Sequence, residues 1–353
     1  MKYRKVGRTG LMVSEFALGC INFGEAVQEK DAIEIVRRAY ELGINHFDTA
    51  DMYPALGATF GLSEKILGKA LKPFRNEVVI VTKVSAPEGE GPNAGGLSRY
   101  HLINAVERSL HRLQTDYIDV YLAHQRDPRT PIDETLRAFD DLVHSGKVRY
   151  IGCSNYASWE ICKALWISDK HNLARFDCVQ DRYNLITRSA EREILPFCAS
   201  ERLGMFVYNP LAGGLLAGGL YEQDGRLVSS YTKGAAPPKA GRFVNPLYQK
   251  RYWYDRNLEA VQKLQNIAKS SGHTSAQIAL AWLLSNKTVT SVLTCVDFPE
   301  QLDHNLSAAE ISLSDSEISG CNEIYKSMLP PGWSIQEEGA DHTGFGIPTE
   351  FAF

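Results

Sequence analysis

Short apolar segments alternate with longer stretches of helical periodicity along most of this 353-residue chain. Val78–Val81 and Met205–Val207 are apolar at every position, which is typical of parallel strands that helices cover on both faces. The alternation predicts an α/β fold with a crossover helix between neighbouring strands. Strands are predicted at residues 15–20, 44–48, 78–84, 117–124, 148–153, 178–182, 205–209 and 291–296, and helices at 31–42, 62–71, 98–112, 133–145, 158–168, 190–202, 255–271 and 274–285.

Eight strand–helix units of this size predict a closed (β/α)8 TIM barrel, formed by residues 1–353 as a single domain. An open, doubly wound sheet is the alternative, and it is disfavoured because no G-x-G-x-x-G motif follows the first predicted strand. Three segments have the composition of insertions, namely 84–97, 211–254 and a tail at 329–353. Loops at the carboxyl ends of barrel strands build the ligand pocket, so long loops are expected there.

Composition and charge exclude several classes of protein. The 38 Lys and Arg residues against 42 Asp and Glu give a net charge of −4 without a basic block, so no nucleic-acid partner is expected. No segment approaches the roughly 20 apolar residues of a membrane-spanning helix, and Met1–Lys5 starts no apolar signal region. The seven cysteines are dispersed without a C-x-x-C motif, which favours reduced thiols in the cytoplasm and no metal site.

Polar side chains end several of the predicted apolar strands. Asp48 ends the second strand, Lys83 the third and His124 the fourth, and Tyr53 follows shortly after Asp48. Because the carboxyl ends of parallel strands meet at one edge, these four side chains are expected to converge. Each alone has a simpler explanation, such as a solvated lysine or a tyrosine packed on Pro54. Together, a phenol, an ammonium, a carboxylate and an imidazole can exchange a proton with a carbonyl oxygen near neutral pH.

A series of motifs, in order and with characteristic spacing, resembles the aldo-keto reductase superfamily over roughly residues 1–310. Asp127–Thr135 further resembles the branch that contains the potassium-channel β-subunits. The motifs are Gly10–Ser14, Phe47–Tyr53, Val81–Lys83, Leu122–His124, Ile151–Asn155, Tyr208–Gly214 and Pro299–Leu302 with Asn305.

The resemblance implies hydride transfer between a nicotinamide cofactor and a small-molecule carbonyl or alcohol. Tyr53 would act as general acid and base, and Lys83 would lower the pKa of its phenol. Asp48 would keep Lys83 charged and oriented, and His124 would hydrogen-bond the substrate oxygen. His46 is expected on the same face as Asp48, one layer deeper, as a structural histidine.

The resemblance also implies cofactor contacts along the same edge of the barrel. In similar proteins, polar side chains bind the nicotinamide carboxamide, an aromatic ring stacks on the nicotinamide, and a glycine-containing segment approaches the pyrophosphate. The matching positions are, in that order, Ser154, Asn155 and Gln180, then Tyr208, then Pro210, Leu211, Gly213 and Gly214. Further positions that the resemblance places at the pocket are Gly19, Cys20 and Ile21 after the first strand, and Gln301 and Asn305 on the adenine side.

The last strand–helix loop departs from the family pattern. The position that often contacts the 2′-phosphate of NADP is Asp297, and no Lys or Arg lies between Lys287 and Glu300. A carboxylate repels a phosphate but accepts hydrogen bonds from ribose hydroxyls. The loop therefore favours NAD over NADP, although Arg242 could reach in from the insertion, and His304 stands where an acidic residue is common.

Three functions remain open. The leading one is an NAD(P)-dependent oxidoreductase. It acts on a small molecule with a carbonyl or an alcohol group, such as a sugar or a sugar derivative. A cofactor-retaining epimerase or dehydratase would use the same four residues. A dinucleotide-binding regulatory subunit would resemble the channel β-subunits, but those often lack the imidazole, so His124 favours catalysis. The tail at 329–353 is expected over or near the substrate pocket, and disorder or packing on a neighbouring subunit are the alternatives. The sequence leaves the choice between a monomer and a homo-oligomer open.

Overall fold

A computed structural model describes residues 1–54, 60–221, 227–238 and 241–329 of the chain. The tail predicted at 329–353 therefore falls outside the described residues, apart from Leu329. Within the described ranges, none of the helices combines the length and the apolarity needed to cross a bilayer.

Strands and helices alternate along the chain after a short amino-terminal hairpin. The strands are β1 (Tyr3–Lys5), β2 (Met12–Ser14), β3 (Phe16–Gly19), β4 (His46–Asp48), β5 (Val79–Val84), β6 (Ile118–Ala123), β7 (Val148–Ser154), β8 (Phe176–Arg182), β9 (Gly204–Tyr208), β10 (Gly219–Tyr221), β11 (Leu227–Ser230) and β12 (Val289–Thr294). The α-helices are α1 (Glu29–Glu41), α2 (Leu62–Leu71), α3 (Arg99–Leu113), α4 (Ile132–His144), α5 (Ser158–His171), α6 (Ile194–Glu201), α7 (Pro246–Tyr252), α8 (Asp255–Ser271), α9 (Ser275–Ser285), α10 (Pro299–Leu306) and α11 (Asp315–Lys326).

Eight of the strands form a closed parallel barrel in the order β3, β4, β5, β6, β7, β8, β9 and β12. The ring closes where β12 pairs with β3, with Val292 opposite Phe16 and Thr294 opposite Leu18. The predicted (β/α)8 barrel is confirmed. The predicted helix at 62–71 coincides with α2, and Ser98 caps α3 by accepting a hydrogen bond from the backbone N–H of His101.

The period of two along each strand decides which side chains face the barrel interior. Val79 and Val81 of β5 lie in the interior cluster with Phe206, whereas Ile80 belongs to the outer layer between the barrel and the helices. Lys83 follows Val81 by two residues, so it takes the interior side at the carboxyl end of the strand. Asp48 is the last residue of β4, so it lies at the same end of the barrel.

The hairpin β1–β2 closes the opposite, amino-terminal end of the barrel. Val6 and Val13 are fully buried in the interior cluster. Gly7 has a φ of +53°, and a Cβ at this position would lie 2.4 Å from the carbonyl oxygen of Arg202, so the close contact requires glycine. No strand is predicted here, because a three-residue strand is too short to show an alternating pattern.

The insertion at 211–254 folds into a small structure of its own beside the barrel mouth. Tyr231, Phe243 and Trp253 pack edge to face, with ring centroids 4.9 to 6.1 Å apart. Tyr248 of α7 covers the loop after β9, since a Cβ on Gly213 would lie 2.5 Å from its ring. The aromatic residues of this insertion thus hold α7 over the carboxyl ends of the strands.

One predicted helix is wrong in its extent. Residues 190–202 form a short 3-10 turn at Ser189–Glu191 followed by α6, which begins at Ile194. Pro196 lies in the first turn of α6, where a missing N–H is tolerated, but its ring would clash with a helical carbonyl four residues earlier. Glu193 accordingly has a φ of −135° and interrupts the helix.

Candidate active site

The carboxyl ends of the barrel strands surround one cavity of about 1010 Å³. Asp48, Tyr53 and His124 line it, and Lys83 lies fully buried beneath them. The structure therefore brings together the four side chains that the strand ends predict. They come from β4, the turn after β4, β5 and the residue after β6.

Lys83 and Asp48 form a buried ion pair. Lys83 Nζ donates to Asp48 Oδ1 at 2.6 Å and to the carbonyl oxygen of Thr49 at 2.7 Å. Asp48 Oδ2 accepts a hydrogen bond from Gln180 Nε2 at 2.7 Å. Burial raises the pKa of Asp48, and the Lys83 ammonium and these hydrogen bonds offset this only in part. Removal of either charge from such a pair costs about 3–5 kcal/mol, because the remaining charge is left buried.

Tyr53 packs between Lys83 and His124. Lys83 Nζ lies 5.1 Å from the centroid of the tyrosine ring. The imidazole of His124 meets that ring edge to face, with centroids 5.8 Å apart. The backbone fixes the turn as well, since Ser63 N–H donates to the carbonyl oxygen of Tyr53 at 3.1 Å. The phenol is thus placed at the cavity wall with an ammonium and an imidazole beside it.

The predicted lowering of the Tyr53 pKa is wrong for the protein alone. Burial raises the pKa of the Tyr53 phenol well above its ordinary value, and the Asp48 carboxylate raises it further. Because Asp48 neutralises Lys83 at 2.6 Å, the pair presents little net positive charge to the phenol. Tyr53 is therefore firmly protonated at neutral pH and is a hydrogen-bond donor and a proton source.

The two histidines at the barrel mouth are uncharged. Burial and, to a lesser extent, the charge of Lys83 together lower the pKa of both His124 and His46 to about 3. His46 lies inside the barrel as predicted, where its Nδ1 is 3.1 Å from Ser291 Oγ and its ring is 4.7 Å from that of Phe206. A neutral imidazole at His124 can donate one hydrogen bond into the cavity without bringing a second cation beside Lys83.

Asn155 organises the side of the cavity opposite Tyr53. Its Nδ2 donates to the carbonyl oxygen of His124 and to Ser154 Oγ, both at 2.9 Å. Its Oδ1 accepts a hydrogen bond from the Tyr208 hydroxyl at 2.8 Å. Asn155 has a φ of +59°, a left-handed conformation that Asn tolerates better than most residues. The three predicted nicotinamide contacts Ser154, Asn155 and Tyr208 are thus joined in one network.

Most of the predicted cofactor positions line the cavity, and one needs correction. Cys20 does not line it, since its side chain is buried in the outer core and its Sγ contacts the carbonyl oxygen of Leu18 at 3.6 Å. Gln180 lines it, and its Nε2 also donates to Asp48 Oδ2. The predicted residues that line the cavity are Gly19, Ile21, Ser154, Asn155, Gln180, Tyr208, Pro210, Leu211, Gly213, Gly214, Asp297, Gln301 and Asn305.

Asn22 and Glu25 line the cavity without having been predicted. Asn22 Nδ2 donates to the carbonyl oxygen of Val296 at 2.7 Å and to Asp297 Oδ1 at 3.0 Å. It thereby joins the loop after β3 to the loop after β12. The only sequence signal for Asn22 is its place just past the end of the first barrel strand.

Arg242 of the insertion also faces the cavity. Its Nη2 is buried and has no hydrogen-bond partner among the described residues. Burial opposes the guanidinium charge, but Tyr248, Cys295, Asp297 and Glu25 together raise the pKa of Arg242. The predicted anionic position Asp297 therefore has a cation in its surroundings.

Two features of this cavity suit a phosphate-bearing dinucleotide. Residues 212–214 have φ values of +51° to +96°, and Gly214, where a Cβ would meet nothing within 4 Å, leaves its backbone open to close approach by a ligand. Arg242 supplies an unsatisfied donor at the cavity wall. Among the described residues, no three His, Cys, Asp or Glu side chains are arranged to hold a metal ion.

Comparison with known proteins gives a consistent result. The model of a family described as the aldo/keto reductase family matches residues 15–326. An uncharacterized oxidoreductase of Bacillus subtilis, YrpG, is 37% identical over 332 residues, which cover 92% of this chain and 96% of that protein. A putative voltage-gated potassium channel subunit beta of Schizosaccharomyces pombe is 36% identical over 318 residues, covering 87% and 88% of the two chains. A versiconal hemiacetal acetate reductase of Aspergillus parasiticus is 32% identical over 351 residues, covering 92% and 97%.

Proposed function

The chain belongs to the aldo/keto reductase family, a family of oxidoreductases, and on that premise we propose that Tyr53 is its general acid and base in hydride transfer. The substrate is a small molecule with a carbonyl or an alcohol group. The observation that carries this proposal is the buried Lys83–Asp48 pair, with Lys83 Nζ 5.1 Å from the Tyr53 ring at the wall of the cavity.

In the direction of carbonyl reduction, the nicotinamide supplies the hydride. Tyr53 donates its proton to the carbonyl oxygen as negative charge develops there. His124, which is neutral because its pKa is about 3, donates a second hydrogen bond to the same oxygen. Lys83 lies fully buried near the phenol, and the part of its charge that Asp48 does not cancel stabilises the phenolate that is left after the proton has moved.

Alcohol oxidation needs Tyr53 to begin as the phenolate. The raised pKa of Tyr53 opposes this at neutral pH. We therefore propose that the residues around Tyr53 favour reduction at neutral pH and that oxidation becomes efficient only at alkaline pH.

Members of this family use nicotinamide cofactors, generally NADPH. For this chain we propose NAD instead, because two carboxylates, Glu25 and Asp297, act on the guanidinium of Arg242. One positive and two negative charges sum to −1, which disfavours a 2′-phosphate. Asn22 holds Asp297 Oδ1 in place at 3.0 Å, and the carboxylate is suited to accept ribose hydroxyls.

Sugars and sugar derivatives are the substrates that we propose. The cavity is lined both by polar groups, among them those of Asn155, Tyr208 and Arg251, and by apolar side chains, among them Met52 and Leu293. Such a mixture suits a polyhydroxylated molecule that has one apolar face. The tail at 329–353 is proposed to complete the substrate side, and a cytoplasmic location is proposed from the dispersed, free cysteines.

A fluorescence titration with NADH and NADPH, followed by single-turnover mixing with a panel of sugars and aldehydes, tests this function. Stoichiometric oxidation of the nicotinamide by at least one carbonyl compound, lost in Tyr53→Phe, is the expected result. Tight binding without turnover on the whole panel would favour the second candidate, a dinucleotide-binding regulatory subunit, which the similarity to the S. pombe protein supports. Turnover without net change in the nicotinamide would indicate an epimerase or a dehydratase.

A further inference from the structure

The first turn of α2 lies directly behind Tyr53 and Lys83. Ser63, the second residue of α2, is fully buried. Its backbone N–H donates to the carbonyl oxygen of Tyr53 at 3.1 Å. Its hydroxyl lies 2.7 Å from the carbonyl oxygen of Cys20 and 2.9 Å from the hydroxyl of Thr49. One residue outside the cavity thus contacts the end of β3 and both ends of the turn after β4.

The direction of these hydrogen bonds follows from the number of protons available. A serine hydroxyl has one proton, and the carbonyl oxygen of Cys20 can only accept, so Ser63 donates there. Thr49 must therefore donate its own hydroxyl proton to Ser63 Oγ. The hydroxyls form a directed chain from Thr49 through Ser63 to the carbonyl of Cys20.

Thr49 links this chain of hydroxyls to the ammonium of Lys83. The carbonyl oxygen of Thr49 accepts from Lys83 Nζ at 2.7 Å, and its side chain is held by Ser63. The turn from Thr49 to Tyr53 is thus fixed near both ends by one residue. At one end Ser63 holds the residue that binds the ammonium, and at the other it holds the backbone of the phenol.

We propose that Ser63 is a positioning residue that sets the separation and orientation of the Tyr53 phenol and the Lys83 ammonium. This inference rests on the proposed role of Tyr53 in catalysis. Nothing in the motif that contains Tyr53 points to Ser63, because residues 54–62 separate the two in the chain and α2 brings them together.

Ser63 can act in this way because its own helix turn is immobilised by the next residue. Glu64 is fully buried, and its two oxygens accept from Thr82 Oγ1 and Arg112 Nε, both at 2.6 Å. Arg112 packs on Gly61, where a Cβ would lie 2.3 Å from its Cδ. Thr82 precedes Lys83 in β5, so Glu64 ties this helix turn to the strand that carries the ammonium.

Ser63→Ala removes the central link of the hydroxyl chain and leaves the backbone bond to Tyr53. We expect kcat for carbonyl reduction to fall by about 10- to 100-fold, because small displacements of reacting groups have effects of this size. The dissociation constant for NADH, measured by fluorescence, should change by no more than about twofold. The matched control is Ser168→Ala in α5, a buried serine whose hydroxyl binds the carbonyl oxygen of Ala174, and kcat should be unchanged.

A double-mutant cycle shows whether Ser63 acts through Thr49. Thr49→Val keeps the shape of the side chain and removes the hydroxyl, so it should lower kcat to a similar extent even if Ser63→Ala folds poorly. The double variant should lose no more than the worse single variant, since both changes break the same chain. Independent, multiplicative losses, or a Ser63→Ala enzyme with wild-type kcat, would overturn the positioning role.

The failure of this inference and that of the proposed function give different results. If Tyr53→Phe is inactive while Ser63→Ala and Thr49→Val both turn over at the wild-type rate, only the role of Ser63 is refuted. If Tyr53→Phe retains full turnover, the proposed function itself is refuted. The pH dependence of kcat adds a readout that general destabilisation would not move, because a changed distance between phenol and ammonium shifts the alkaline limb for reduction.

Discussion

Gln180 and Asp48 stand on opposite sides of the barrel, and yet Gln180 Nε2 lies 2.7 Å from Asp48 Oδ2. Their strands, β8 and β4, are four positions apart in either direction round the ring. The hydrogen bond therefore spans the barrel mouth beneath the cavity. With Lys83 bound to Oδ1 at 2.6 Å, it satisfies both oxygens of a buried carboxylate.

Gln180→Leu should destabilise the protein by about 1–3 kcal/mol in urea unfolding, because it leaves Asp48 Oδ2 without a donor. The pKa of Asp48 should rise further, since this hydrogen bond now lowers it. Gln265→Leu is the control. Its Nε2 donates to the carbonyl oxygen of Gly218 at 3.1 Å in a partly exposed site, and it should cost clearly less. Equal costs for the two variants would show that the bond across the barrel is of no special importance.

Tyr53→Phe should lower kcat by at least about 100-fold, the usual effect of losing a general acid. The ring stays in place beside His124 and Lys83, so the dissociation constant for the dinucleotide should remain nearly the same. Tyr156→Phe removes a phenol buried against Phe176 on the outer side of the barrel and should leave kcat unchanged. A parallel loss of binding and turnover in Tyr53→Phe would argue against an acid–base role.

The rates of carbonyl reduction and of alcohol oxidation should depend on pH in different ways. The pKa of Tyr53 lies well above its ordinary value because of burial and of Asp48, so the phenol stays protonated across the neutral range. The rate of reduction should stay constant up to about pH 9, and the rate of oxidation should rise with pH. Both follow because even the ordinary pKa of a phenol is about 10. Steady-state rates in both directions check this. A decline in reduction near pH 7 would mean that Lys83 lowers the pKa after all.

Asp297→Ser should improve binding of NADPH relative to NADH by about tenfold, which corresponds to roughly 1.4 kcal/mol. The change removes one of the two carboxylates near Arg242 and raises the summed charge of these groups from −1 to 0. Asp303→Ser is the control, because Asp303 pairs with Arg38 in an ion pair that does not line the cavity. An unchanged ratio in Asp297→Ser would remove the basis for proposing NAD.

Acid should destabilise the protein through its buried histidines. Burial lowers the pKa of His46 from 6.5 to about 3, so between these values the unfolded chain binds a proton that the folded chain does not. The free energy of unfolding is therefore highest above pH 6.5. It decreases as the pH falls, by about 1.4 kcal/mol per pH unit for one such group. His46→Gln should make urea unfolding less dependent on pH between 6.5 and 4.5. The control, His144→Gln, changes an exposed histidine and should leave the slope as it is.

The barrel and the polar residues at the carboxyl ends of its strands could be predicted because both depend on repeating patterns. Val79, Val81 and Lys83 share one face by the period of two, so a polar residue at the end of an apolar strand must lie at the barrel mouth. The convergence of Asp48, Lys83 and His124 follows once the strands are parallel neighbours.

Other features depend on contacts between distant segments, which no local pattern reports. Asn22 reaches Asp297 only because β12 closes the ring against β3. The raised pKa of Tyr53 results from a balance between burial and a neutralised ion pair. A sequence shows that Lys83 is near the phenol, but it does not show that Asp48 cancels most of its charge.

The amino-terminal hairpin has a consequence for the order of events during turnover. Because Val6 and Val13 plug one end of the barrel, the cavity opens towards the carboxyl ends of the strands. On the proposed function, the cofactor and the substrate would share this entrance, and the one that lies deeper would bind first and leave last.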